Sequence, residues 1–87
     1  MDTLSKFIEK VAKKYNIKVN SLPNGVIILV KDGMGFVQIA AVRDVYYIRY
    51  LTKDEAYIIP RLNKKLMERI IEERLNEFNA LKISDIG

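Results

Sequence analysis

VIILVKDGMGFVQIAAVRDVYYIRYL, residues 26–51, is the stretch whose reading decides the fold. Three apolar runs of strand length are separated by two short polar pairs, Asp32-Gly33 and Arg43-Asp44. Asp-Gly is a strong two-residue hairpin signal, because the favoured turn needs positive φ at both central positions. Residues 26–31, 35–42 and 45–51 are therefore expected to form consecutive antiparallel strands. Two-residue turns fix register, and register fixes faces. Ile28 is then expected opposite Val37, Val26 opposite Ile39, Ile39 opposite Ile48 and Val37 opposite Tyr50. One face would hold Val26, Ile28, Val30, Val37, Ile39, Ala41, Tyr46, Ile48 and Tyr50, an apolar core face. The other would hold Ile27, Leu29, Phe36, Gln38, Ala40, Tyr47, Arg49 and Leu51. Only Gln38 and Arg49 on that second face are polar. A sheet with one solvated face should alternate apolar with polar residues. The second face is thus expected to be covered, by the long helix, a second subunit or a ligand.

Upstream of this block, Leu22-Pro23-Asn24-Gly25 reads as a turn, with proline presetting φ and glycine accepting a positive value. Residues 17–22 read as a short strand before it. Leu4, Phe7, Ile8, Val11, Ala12 and Tyr15 recur at the i, i+3, i+4, i+7 spacing of one helical stripe. Asp2 or Thr3 is the expected N-cap, and Asn16 can take the left-handed conformation that ends a helix.

Downstream, three readings of residues 52–60 stand side by side. Thr52-Lys53-Asp54-Glu55 matches a capping box that would start a helix at Lys53. Alternatively residues 53–55 turn and residues 56–59 form a fifth strand, which Pro60 favours slightly. The third reading is a short helical turn with a restart at Pro60. Residues 60–81 then read as a helix, with Leu62, Leu66, Met67, Ile70, Ile71, Leu75, Phe78 and Leu81 spread over more than half its circumference. A helix on one sheet needs a stripe only somewhat wider than about 100°, so this width predicts a second contact. Residues 82–87 are expected to fray. The predicted fold class is a two-layer α+β single domain, ordered α-β-β-β-β-α with an antiparallel meander and a possible short fifth strand at 56–59.

Composition limits the chemistry. The 87 residues contain no cysteine and no histidine. Disulfides, thiolate nucleophiles and zinc–thiolate sites are excluded, and so are the commonest general base and the commonest transition-metal ligand. Glu68, Glu72, Glu73 and Glu77 alternate with Lys and Arg on one helix, the pattern of surface charge. No catalytic activity, metal or cofactor is expected. A chain this short buries only about 60–65% of its unfolded surface, and small domains often gain burial by oligomerising. Abundant Ile, Lys, Glu and Tyr match a thermophile composition, although six asparagines argue the other way. No leader peptide and no apolar run of membrane-spanning length is visible, so a soluble, cytoplasmic protein without membrane contact is expected.

The formal net charge is +4, and residues 1–50 carry eight Lys/Arg against four Asp/Glu. The excess centres on Lys6, Lys10, Lys13, Lys14 and Lys18, a candidate phosphate-binding patch or simply a solvated helix face. Tyr46, Tyr47, Tyr50 and Tyr57 cluster around Arg49, and tyrosine and arginine are the types that anchor protein interfaces.

The string Asp32-Gly33-Met34-Gly35-Phe36-Val37-Gln38-Ile39 resembles the central octapeptide of the RNA-recognition motif at Gly33, Gly35, Phe36 and Val37. That resemblance implies an open sheet on which Phe36 stacks bases. It departs from the pattern at Asp32, Met34 and Ile39, and the chain begins with a helix where that family begins with a strand. The hairpin reading is the one carried forward, and no family is assigned. The expected function is a non-catalytic protein-interaction module, a homodimer whose interface holds Phe36, Gln38, Tyr47, Arg49 and Leu51. The alternative is a nucleic-acid-binding protein that uses the basic face of the first helix.

Overall fold

The computed structural model describes residues 3–86, with side chains to residue 81. Helix α1 (Thr3–Tyr15) is followed by strands β1 (Lys18–Ser21), β2 (Ile27–Lys31), β3 (Met34–Val42), β4 (Val45–Tyr50) and β5 (Glu55–Ile59), then helix α2 (Lys64–Ile86). The five strands form one open antiparallel meander in sequence order. This is an α+β fold of α-β5-α order.

The local signals act where sequence chemistry puts them. Asn16 takes φ 58° and ends α1. The Ile17 amide donates to the Ala12 carbonyl at 2.8 Å, the long bond of a Schellman cap. Asp2, the other candidate N-cap, lies outside the described residues. Asp32 and Gly33 both take positive φ, 53° and 79°, as the predicted tight turn requires. Arg43 takes φ 59° in the next turn. Residues 55–59 are a strand, so the fifth-strand reading holds and the capping-box reading of residues 52–55 does not. Pro60 ends that strand and does not open a helix. Asn63 opens α2: its side-chain oxygen accepts from the Leu66 amide at 3.1 Å.

Both helices pack on the same face of the sheet. The core joins Leu4, Ile8, Val11 and Ala12 of α1, Met67, Ile70, Ile71, Leu75 and Phe78 of α2, and the inward residues of the strands. Each fully buried side chain of this kind contributes roughly 1.5–3 kcal/mol relative to exposure. Among the described residues of α2, Leu66 and Leu81 are the large apolar side chains left exposed, well apart along the helix. The second contact expected of α2 is therefore not supported by a continuous patch.

One feature of β3 overturns the expected pairing with β2. Lys31 pairs with Met34 and Val30 with Gly35, as the tight turn dictates, but Leu29 then pairs with Val37, Ile28 with Gln38 and Ile27 with Ile39. The register shifts between Leu29 and Val30, leaving Phe36 as the extra residue of a β-bulge. A bulge of one residue exchanges the two faces of everything beyond it. Ile27 and Leu29 are buried in the core, and Ile28 and Val30, expected there, lie on the outer face. The β3–β4 pairing has no such shift and matches expectation, with Val37 opposite Tyr50, Ile39 opposite Ile48 and Ala41 opposite Tyr46.

Candidate functional site

The outer face of the sheet is covered by neither helix. Its middle row runs across all five strands as Asn20, Ile28, Gln38, Arg49 and Ala56. The neighbouring row sets Ala40, Tyr47 and Ile58 side by side. Tyr47 is 38% exposed, Leu51 39%, Val42 57% and Ile58 66%. A shallow depression of about 320 Å³ lies between Gln38, Ala40, Tyr47, Arg49, Asp54 and Ala56. The Arg49 guanidinium closes one side of it by donating to the Asp54 carboxylate, Nε at 3.0 Å and a second nitrogen to the same oxygen. The Gln38 amide is half-buried at the centre and bonds to no other described side chain. The face therefore offers an apolar field with the paired Arg49 and Asp54 and the Gln38 amide at its centre, and Asn20 and Lys18 along its β1 edge.

Of the residues singled out from sequence, Gln38, Tyr47, Arg49 and Leu51 do share this face. Phe36 does not. It is fully buried and stacked on Phe78, ring centroids 5.3 Å apart and planes at 26°. The bulge turns it inward, so neither an interface role nor base stacking is open to it. Ile58, Ile28 and Val30 belong to the face and were missed. The alternation of residues 55–59, with Tyr57 and Ile59 inward, was the signal for Ile58. Nothing in the sequence marks the bulge that exposes Ile28.

The five candidate lysines do not form one patch. Lys6, Lys10 and Lys14 line a cleft of about 480 Å³ between α1 and the first turns of α2, which adds Lys64. Lys13 does not line it, and Lys18 sits on β1 in a separate depression with Lys31. At the inner end of the cleft the helices are clasped by polar contacts. Glu68 accepts from Lys14 at 2.7 Å and from the Tyr15 hydroxyl at 2.8 Å, and Tyr15 also reaches Glu72 at 2.9 Å. Donation by Lys14 and then Tyr15 holds the Glu68 carboxyl below the usual carboxylate value, and the same bond raises Lys14. The two carboxylates push the Tyr15 phenol well above its ordinary range.

On the far side of the helix layer, Arg74 is enclosed. It donates to the Tyr57 hydroxyl at 2.8 Å and to Glu55 at 3.2 Å, pairs with Glu77 at 3.3 Å, and lies 5.4 Å from the Tyr50 ring centroid. Lys53 joins the same group through an ion pair that holds Glu77 low. Arg74 shares the inward stripe with Ile70, Ile71 and Phe78, a spacing visible in the sequence. This group ties the β4–β5 loop to α2, with the Arg74 Nε left as its one buried donor lacking a partner among the described residues. Among the described residues no cluster of three or more carboxylates could hold a metal ion, and no helix is long and apolar enough to cross a membrane. Set against protein-family models, curated proteins and solved structures, the chain has no match in any of the three.

Proposed function

We propose that the chain is a non-catalytic interaction module that pairs with a second copy of itself through the outer face of its sheet. The observation that supports this most is the uncovered five-stranded face, apolar across Ile28, Ala40, Tyr47, Leu51 and Ile58. Five strands spaced about 4.8 Å apart and roughly 20 Å long give a face on the order of 500 Å². Two such faces together reach the roughly 1,000 Å² that separates specific interfaces from chance contacts. An exposed apolar field rimmed by polar residues, as on this face, is the pattern of an interaction surface.

Two features favour a second copy over an unrelated partner. An amide both donates and accepts, so Gln38 near a two-fold axis can pair with the partner's Gln38. Arg49 and Asp54 neutralise each other at the centre of the face, Lys18 stands at its β1 edge, and most of the positive excess lies in the helix layer on the opposite side. Self-association through the middle of the sheet therefore keeps like charges apart. Tyr47 and Arg49 act as the anchors, buried aromatic area beside an oriented guanidinium.

Tyr47→Glu tests the reading. Tyr47 is already partly exposed, so the variant should keep the wild-type circular dichroism. Its mass in solution should be that of a monomer at concentrations where the wild type is a dimer. A Tyr47→Glu variant with the same oligomeric state as the wild type would overturn the sheet-face assembly.

A further inference from the structure

We propose that the cleft between α1 and α2 is a binding groove for single-stranded nucleic acid. Lys6, Lys10 and Lys14 stand at i, i+4 and i+8, about 6 Å apart along the helix axis. Lys64 faces them from α2, its ammonium 6.0 Å from the centroid of the Phe7 ring. Phe7 and Val11 line the same cleft, and Phe7 is only half-buried. Among the described residues Glu68 is the one carboxylate in the lining, and it is taken up by Lys14 and Tyr15. Lys6, Lys10 and Lys64 make no ion pair with any described residue, so three positive charges line the groove without a described carboxylate partner, Lys64 resting over the Phe7 ring.

A row of cations suits a chain of phosphates better than a lone anion, which would touch two of them at most. The aromatic floor narrows the choice further. Non-specific single-strand binders combine a cationic groove along the backbone with an aromatic side chain on which a base stacks. Duplex DNA keeps its bases stacked inside and would leave Phe7 unused. An acidic protein segment would use the lysines but not the ring face. The cleft and the open sheet face lie on opposite sides of the molecule, so the proposal does not rest on the dimer. In a dimer the two grooves would face outward.

The test is fluorescence anisotropy with a labelled oligothymidylate of about 16 nucleotides, long enough to cover one site. Binding should weaken with salt at a log–log slope near −2, about 0.7 for each of three phosphates neutralised. Lys10→Gln should flatten that slope by about 0.7. Phe7→Leu should weaken binding by roughly tenfold at an unchanged slope, and Phe7→Tyr should restore it. Each variant's circular dichroism confirms that it is folded. Three results would overturn the proposal. The first is no binding at low salt. The second is equal affinity of wild type and Phe7→Leu. The third is polyglutamate or duplex DNA binding as tightly as the oligothymidylate, which would assign the cleft to acidic proteins or to indiscriminate polyanions.

Discussion

Two tyrosines of the core show how differently the same side chain can be used. Tyr50 is fully buried, yet its hydroxyl has no hydrogen-bond partner, and the Arg74 Nε beside it has none either. Tyr57, one strand away, receives a 2.8 Å bond from the Arg74 guanidinium. A buried hydroxyl without a partner carries its desolvation cost with no return, whereas removing one half of a charge-assisted bond is expensive. Tyr50→Phe should therefore leave stability within about 0.5 kcal/mol of wild type or raise it, and Tyr57→Phe should cost about 1–2 kcal/mol. Urea unfolding of both variants checks the contrast, and equal losses would contradict it. Gln38 belongs to the same scale. Its amide is tolerable at the centre of an apolar face because the isolated subunit leaves it half exposed.

The elements meet through two devices, the β3 bulge and the clasp between the helices. The bulge decides which residues of β2 are structural. Leu29→Ala should cost about 2–5 kcal/mol as a core cavity, and Ile28→Ala about 1 kcal/mol or less. Measuring both in a Tyr47→Glu background keeps the proposed self-association out of the comparison. The reverse order would mean that the regular register, with Ile28 inward, is the true one. Almost every element was legible in the sequence: the stripe of α1, the Asp32-Gly33 and Arg43-Asp44 turns, and the long apolar period of α2. The bulge was not, because a two-residue turn fixes pairing only as far as the first irregularity. Phe36 is equally at home inward or outward by composition, and its stacking on Phe78, 42 residues on, decides the matter. Four of the five candidate interface residues keep the expected face, since Gln38, Tyr47, Arg49 and Leu51 owe it to the β3–β4 turn alone. The clasp makes a pH prediction. Glu68 is held below its ordinary value of 4.5, so its contribution is complete above that value and disappears as the pH falls through the lowered one. Lys14 is raised above 10.5 and Tyr15 above 10.0, so their share is complete below those values and disappears as the pH rises through the raised ones. The stability advantage of wild type over Glu68→Gln should accordingly be widest near neutrality and should shrink toward pH 3. A gap that stays constant across that range would contradict the clasp.

For the whole molecule, the central fact is asymmetry. Two helices cover one side of a five-stranded sheet and no other described element covers the second side. The chain is small, and the interior between helices and sheet holds the buried core of its described residues. Exposing a second apolar surface of similar chemistry would be a liability for a lone monomer. Pairing two copies face to face turns that surface into a second core and leaves the lysine clefts pointing outward. The measurement that bears most directly on this account is the solution mass of the wild-type chain, by light scattering over a concentration series at low and high salt. A dimer that persists at low micromolar concentration, and that high salt does not dissolve, is the predicted result, because the centre of the contact is apolar and its one ion pair is internal to each subunit. A monomer throughout the series would contradict the account and leave the open face of the sheet to some other occupant.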